Sequence, residues 1–117
     1  MSFVEPHPVV GGGRVTGEIQ ATCAIKPKTI SITVAVEHLQ GDGTWLRSKD
    51  TGVTSVVPGT VPVFASGNAT CADGNWRTVY AWSGTGVTGA PFNHPFDATG
   101  ATQTSDTRTV TDGECPK

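Results

Sequence analysis

The chain has 117 residues, a hydrophobic fraction of 36% and a formal net charge of −2. This length suits one domain with one modest core. The weak net charge and the scattered Lys and Arg residues exclude nucleic acid and an anionic membrane surface as expected partners. No apolar run approaches the ~20 residues of a membrane-spanning helix.

The residue types indicate β structure. Val is the commonest of the larger aliphatic residues, Thr is abundant, and Leu occurs only at positions 39 and 46. Such β-branched residues suit a pleated sheet, whereas no stretch repeats apolar residues at helical spacing. The 15 Gly and 8 Pro interrupt the chain every few residues, as a protein with many turns requires.

Residues 1–13 are predicted to form an extended N-terminal arm. They include Pro6 and Pro8, end in three consecutive Gly, and contain no apolar core of an export signal. Either such a signal was removed and a Met added, or the protein never used one. An arm of this composition becomes ordered only when something holds it. We therefore expect a protein partner or self-assembly through the arm.

Residues 14–117 are predicted to form a single domain of short strands. The clearest strand is Thr29–Leu39, in which the apolar residues from Ile30 to Val36 alternate with mostly polar neighbours. Asp42 and Gly43 then give a strong hairpin signal. The other predicted strands cover residues 14–25, 44–49, 53–57, 60–71, 75–83 and 103–112, and the last of these reads as a polar edge strand.

This spacing of strands and turns predicts the fold class. Short strands separated by turn residues are typical of an all-β sandwich. We expect an immunoglobulin-like antiparallel β-sandwich of about seven strands with an extended N-terminal arm. On its first strand, alternation places Cys23 and Ile25 on the inward face together with Val15, Ile19 and Ala21.

The three cysteines are Cys23, Cys71 and Cys115, and the odd number leaves at least one outside an internal disulfide. With alternating strand directions, all three are expected at the same end of the sandwich. Cys71–Cys115 is the favoured pair because these residues flank two strands expected to be hairpin neighbours. Cys23–Cys115 is the main rival, and three free buried thiols are the remaining alternative. No pair has C-x-x-C spacing and no His lies at zinc-finger spacing, so a structural zinc site is not expected. No cofactor is expected either.

One stretch of the sequence carries a family resemblance. Residues 71–78 read C-x-x-G-x-W-R-T, a G-x-W turn precedes them at 43–45, and S-G-T-G and G-A-P-F follow at 83–86 and 89–92. With the Cys-Pro at 115–116, this order resembles small secreted β-sandwich proteins of actinobacteria. The resemblance spans about residues 22–116 and implies a secreted sandwich without a settled activity. The chain departs from that pattern by lacking a further Cys before Pro58 and an export signal.

Three aromatic residues, Trp76, Tyr80 and Trp82, share one face of the strand predicted at 75–83. An exposed row of rings can stack on sugars, so a carbohydrate ligand is one hypothesis for this face. Aromatic rows are more often core packing, and the alternative is that these rings anchor the interior.

The sequence offers no catalytic or metal-binding pattern. A Ser or Cys nucleophile needs a base and an orienting group, and no motif brings these together. His7, His38 and His94 are far apart, and His94 with Asp97 gives too few ligands to predict a metal site. We therefore do not expect an enzyme.

The predicted function is a non-catalytic structural or interaction module displayed outside the cytoplasm. The arm favours a virion surface protein of an actinobacterial phage, either a capsid decoration or a tail component. A secreted actinobacterial module that binds carbohydrate or protein is one alternative. A small secreted enzyme inhibitor is another, and it would present the loop at residues 84–101 to its target.

Overall fold

Strands joined by turns dominate the computed structural model of the chain, which describes residues 1–96 and 103–115. No α-helix occurs in these residues, in agreement with the β-branched composition. The strands are β1 (Ser2–Phe3), β2 (Val9–Gly11), β3 (Arg14–Ala21), β4 (Thr29–Leu39), β5 (Trp45–Arg47), β6 (Gly52–Thr54), β7 (Val63–Thr70), β8 (Gly74–Thr85), β9 (Pro91–His94) and β10 (Arg108–Val110), and a 3₁₀ helix covers Asp112–Glu114.

The strands form two antiparallel sheets. In the first, called sheet I, β3 lies at the centre and pairs along its whole length with β7. The other edge of β3 is shared by β1 and β2. In sheet II, β4 and β8 form the central pair, with β5 and β6 along the far edge of β4 and β9 and β10 along the far edge of β8.

This division of the strands confirms the expected fold class. Immunoglobulin-like sandwiches place their first, second and fifth strands in one sheet and their third, sixth and seventh in the other. The same division is obtained when β1 and β2 count as the first strand, β3 as the second and β7 as the fifth. One difference is β6, which pairs with β4 in sheet II rather than with β7 in sheet I.

The core fills the space between the sheets in two clusters of buried side chains. The larger cluster joins Ile19 of sheet I to Ile32 and Val34 of sheet II, and the smaller joins Val15 to Trp76. Burial alternates along the first half of β4, as the period of two along a strand predicts, whereas residues 34–37 are all buried. The sheets approach closely at Gly67, where an added Cβ would lie 2.3 Å from the carbonyl oxygen of Val34.

The N-terminal arm is part of sheet I in the structure. Phe3 packs edge-on against Tyr80, with ring centroids 5.4 Å apart, and β1 and β2 hydrogen-bond to β3. Asp106 N also donates to Pro6 O at 3.0 Å. Contacts within the same chain therefore hold the arm, so its order does not require a neighbouring subunit.

Two expectations for individual strands are wrong. The strand predicted at 14–25 ends at Ala21, and Ile25 is 74% exposed instead of facing the core. The backbone leaves sheet I here because Cys23 N donates to Gly59 O at 2.9 Å, outside the β3–β7 ladder. Residues 91–94, expected in a loose loop, form β9 and pair with the end of β8.

The hairpin between β4 and β5 closes where the Asp-Gly pair predicts it. Gly43 has φ +87°, a conformation that favours glycine, and its N donates to Gln40 O at 3.0 Å. The Asp42 carboxylate accepts hydrogen bonds from Thr44 Oγ1 at 2.6 Å and Thr44 N at 3.0 Å. These bonds, the side-chain one first, lower the pKa of Asp42 from its ordinary value of 3.8.

This lowered pKa makes the turn sensitive to acid. A carboxyl group with a depressed folded-state pKa stabilises the fold above its unfolded pKa, and this contribution is lost as pH falls through the folded pKa. We expect Asp42→Asn, which keeps an acceptor oxygen but does not titrate, to lose less stability than the wild type below about pH 4. Urea unfolding midpoints measured from pH 7 downwards test this, and an offset that stays constant with pH would contradict it.

Candidate functional site

The aromatic residues of β8 face the interior. Trp76 is 4% exposed, Tyr80 is buried, and Trp82 packs on the larger core cluster. The register of β8 with β4 explains this, because Tyr80 lies opposite Val34 and therefore points into the sandwich with it. Burial also raises the pKa of Tyr80 above its ordinary value of 10.0. These rings form no exposed platform, so the hypothesis that they stack on a sugar is wrong.

His94 covers the last of these rings. Its imidazole stacks on Trp82 with ring centroids 4.3 Å apart, and Phe92 contacts the same indole at 5.2 Å. The carboxylate considered together with His94, Asp97, lies outside the described residues. Within residues 1–96 and 103–115, no group of three or more His, Cys, Asp or Glu side chains is placed to hold a metal ion.

The cysteines pair as the sequence favoured. Cys71 and Cys115 form a disulfide with Cα atoms 5.6 Å apart, which joins the end of β7 to the segment after β10. Cys23 is free and lies at the opposite end of the sandwich. The expectation that all three cysteines share one end is therefore wrong, and this position also removes the Cys23–Cys115 alternative.

A buried carboxylate with two guanidinium partners occupies the outer face of sheet II. Glu37 is 4% exposed, and its carboxylate oxygens lie 3.2 Å from Arg47 and 2.8 Å from Arg77. Arg47 stacks over Phe96 at 3.9 Å and Arg77 over Trp45 at 4.1 Å, so the two rings cover the ion pairs. We call this group the Glu37 cluster. Its charged groups are all partnered, which makes it a structural feature of the sheet.

Three loops at the end of the sandwich that contains Cys23 form a different surface. They are residues 22–28 between β3 and β4, residues 55–62 between β6 and β7, and residues 86–90 between β8 and β9. We call them together the three-loop surface. Each carries at least one branched aliphatic residue that is more than half exposed, namely Ile25, Val56, Val61 and Val87.

Direct contacts hold the three loops together. Cys23 N bonds to Gly59 O, and the side chain of Lys26 crosses Gly59, where an added Cβ would lie 2.8 Å from Lys26 Cε. Lys28 N donates to Thr85 O at 2.9 Å, and its Nζ lies 3.7 Å from the Cβ position of Gly89. The three-loop surface is therefore one continuous face with a groove between its first two loops. The groove has a volume of about 310 Å³ and is lined by Lys26, Val56, Val57, Gly59, Thr60, Val61, Pro62 and Val63.

The charge on this surface has one sign. The three loops contain Lys26 and Lys28 but no Asp or Glu, although the whole chain has a net charge of −2. The described acidic side chains lie outside these loops, for example Asp42 in the turn at the far end of β4. The three-loop surface therefore presents exposed aliphatic groups beside two lysines that form no ion pair with any residue that the structure describes.

Residues 84–101, which an enzyme inhibitor would present to its target, are only partly a loop in the structure. Gly84 and Thr85 belong to β8, and Pro91–His94 form β9, so the first part is a hairpin. Its turn is tight, with Gly86 N bonded to Ala90 O at 2.9 Å and Gly89 N bonded to Gly86 O at 2.9 Å. Residues 97–101 of the predicted loop lie outside the described residues.

The chain was compared with protein-family models, with curated proteins and with solved structures, and none of them matched. Within the described part of the chain, no helix has the length and apolar character needed to cross a membrane.

Sequence reasoning missed both the Glu37 cluster and the three-loop surface. The cluster depends on the register between β4 and β8, which aligns Glu37 with Arg77 although 40 residues separate them. The three-loop surface did leave a signal in the sequence. Val87 stands between two nearby glycines in a segment that reads as a loop, where a large apolar residue has no strand face to pack. Val56 and Val61 instead fall within the strands predicted at 53–57 and 60–71, so nothing in the sequence indicates their exposure.

Proposed function

We propose that the chain is a non-catalytic interaction module that works outside the cytoplasm and binds a protein partner through the three-loop surface. The observation that carries this proposal is the exposure of the aliphatic side chains, which reaches 74% at Ile25 and 76% at Val61. Contiguous apolar groups on a folded surface mark sites of protein interaction. Binding residues also concentrate on loops that a rigid scaffold holds in place.

The scaffold under these loops supports a binding role. Each loop joins two strands of the sandwich, and the 11-residue β4 begins directly after Lys28. Loops fixed in this way lose little conformational entropy on binding, which favours affinity. The positive charge of Lys26 and Lys28 would favour a partner whose contact surface carries carboxylates around an apolar patch.

The disulfide supports a location outside the reducing cytoplasm, because such bonds persist in oxidising compartments. The resemblance of residues 71–78 to secreted actinobacterial sandwich proteins agrees with this location. A virion surface and a secreted state both satisfy it. The virion setting drew its support from the arm, and the arm pairs within its own chain. The proposal therefore rests on the loops and applies in either setting.

A photo-crosslinking amino acid at position 61, introduced in the producing organism, tests the proposal. We expect it to capture one protein reproducibly, whereas the same amino acid at position 42, at the other end of β4, should not. Purified particles and culture supernatant, analysed separately, distinguish a virion component from a secreted protein. Equal capture at both positions, or none at position 61 in either fraction, would contradict the proposal.

Polar substitution of the same surface should separate binding from folding. Because Val56 and Val61 are more than 60% exposed, Val56→Ser with Val61→Ser should change the free energy of unfolding by no more than about 0.5 kcal/mol each. The same double substitution should weaken the captured complex at least about tenfold, because it removes the apolar contact. Urea unfolding and binding of the captured protein measure the two effects. Unchanged binding by a folded variant would show that the partner docks elsewhere.

A further inference from the structure

A second concave site lies on the side of the sandwich, near the opposite end of β4 from the three-loop surface. It opens between β5 and β7, where Ser48 Oγ donates to Asn68 O at 2.8 Å. Among the described strands, none pairs with the outer edge of β7, so sheet I leaves this gap uncovered. The site, called the side pocket, has a volume of about 240 Å³ and is lined by His38, Leu46, Arg47, Ser48, Lys49, Ala69 and Trp76.

The interior of the side pocket is apolar. Trp76 belongs to the smaller core cluster, and its indole N–H is already satisfied by Ala72 O at 2.9 Å. Trp76 is only 4% exposed, and the part of it that lines the pocket offers carbon surface rather than a polar group. Leu46 at the mouth is 62% exposed and adds aliphatic surface beside the cavity. A ligand with an apolar body would cover both residues.

His38 is fixed as a wall of this pocket. Its ring stacks on Trp76 with ring centroids 4.3 Å apart, and its Nε2 lies 2.9 Å from Asp73 O. A carbonyl oxygen only accepts hydrogen bonds, so Nε2 carries a proton and donates it. This hydrogen bond and the ring stacking hold the imidazole in one position, so the wall of the pocket is preformed.

The mouth of the side pocket is positively charged. Lys49 lines it and forms no ion pair with any described residue, whereas the guanidinium of Arg47 is held by Glu37. No carboxylate within residues 1–96 and 103–115 lines the pocket, and the nearby Asp50 is paired with Arg14 at 2.7 Å. The available cation at this mouth therefore favours an anionic group on the ligand.

We propose that the side pocket binds a small carboxylate with an aromatic body, the ring lying against Leu46 above the small exposed part of Trp76 and the carboxylate at Lys49. An apolar cavity of about 150 Å³ accepts a benzene ring. The side pocket exceeds that size by enough to add a short alkyl chain that reaches the mouth. Because this site lies away from the three loops, the proposal is independent of the proposed protein interaction.

The test uses 3-phenylpropionate as the probe, followed by two-dimensional NMR of the assigned tryptophan indole N–H signals. We expect the Trp76 signal to shift with a Kd on the order of 1 mM, while the Trp82 signal stays in place. The uncharged analogue 3-phenylpropanamide should bind about threefold to fivefold more weakly, because it cannot pair with a cation. An unmoved Trp76 signal at about 10 mM probe, or equal affinity for acid and amide, would overturn the proposal.

Variants locate the two ends of the ligand. Lys49→Gln should weaken 3-phenylpropionate about threefold to fivefold and leave the amide unaffected. Leu46→Ser should weaken both probes, whereas Val87→Ser, a comparable exposed aliphatic on the three-loop surface, should weaken neither. Both aliphatic residues are more than half exposed, so these variants should remain folded. An effect of Val87→Ser equal to that of Leu46→Ser, or none from Lys49→Gln, would overturn the assignment.

Discussion

Replacing both Cys71 and Cys115 with Ser should lower the free energy of unfolding by about 4 kcal/mol. The disulfide closes a loop with a sequence separation of 44 residues, and the chain-entropy model gives a stabilisation of about that size for such a loop. The bond also packs against the smaller core cluster. For a domain of this length, such a loss is a large share of the total stability. Urea unfolding under non-oxidising conditions measures it.

The free cysteine provides the matched control for this prediction. Cys23 forms no disulfide and is partly exposed, so Cys23→Ser should change the free energy of unfolding by only about 0.5 kcal/mol. Mass measurement after thiol alkylation should count one reactive thiol in the native protein and three after reduction. A loss from Cys23→Ser as large as that from the double substitution would contradict the pairing.

Replacing Glu37 with Gln should produce the second large loss of stability, about 2–3 kcal/mol. Removing one member of a buried ion pair costs about 3–5 kcal/mol, because the partner charge stays buried and uncompensated. Here Arg77 is 16% exposed and Arg47 is 42% exposed. Water reaches both guanidinium groups in part, so we expect a value below that range. Urea unfolding at neutral pH and low salt measures the effect.

An exposed glutamate on the other sheet gives the comparison. Glu18 lies on the outer face of β3 and is exposed to solvent, so Glu18→Gln should change the free energy of unfolding by no more than about 0.5 kcal/mol. Arg77→Gln should be more destabilising than Arg47→Gln, because Arg77 is the more buried partner. Equal effects from Glu37→Gln and Glu18→Gln would show that the Glu37 cluster contributes no stability.

The composition of the chain and its local alternation were enough to predict the β class. The strand predicted at Thr29–Leu39 has those same bounds in the structure. The alternation of apolar and mostly polar residues that marks it is a local pattern, so the sequence alone reveals it. The Asp-Gly turn was equally readable, since its backbone requirement is met by two adjacent residues. The disulfide between Cys71 and Cys115 followed from the hairpin expected between them.

The same alternation left the direction of the β8 face undecided. It groups Trp76, Tyr80 and Trp82 on one side, but it does not say whether water or another sheet covers that side. Packing of sheet I onto sheet II settles this, and it turns the rings inward. The arm shows a similar limit. Its residues 1–13 lack a strong strand pattern, and they join sheet I because β3 has a free edge for them.

What the sequence determined by itself is therefore the β class, the central strands and the residues that share a face. The tertiary structure decided which distant groups meet: Glu37 with Arg77, the three loops with one another, and the walls of the side pocket. The physical reason is the distance along the chain over which each interaction acts. Period and turn chemistry act between neighbours along the chain, whereas register and sheet packing join residues tens of positions apart and depend on the whole core closing at once.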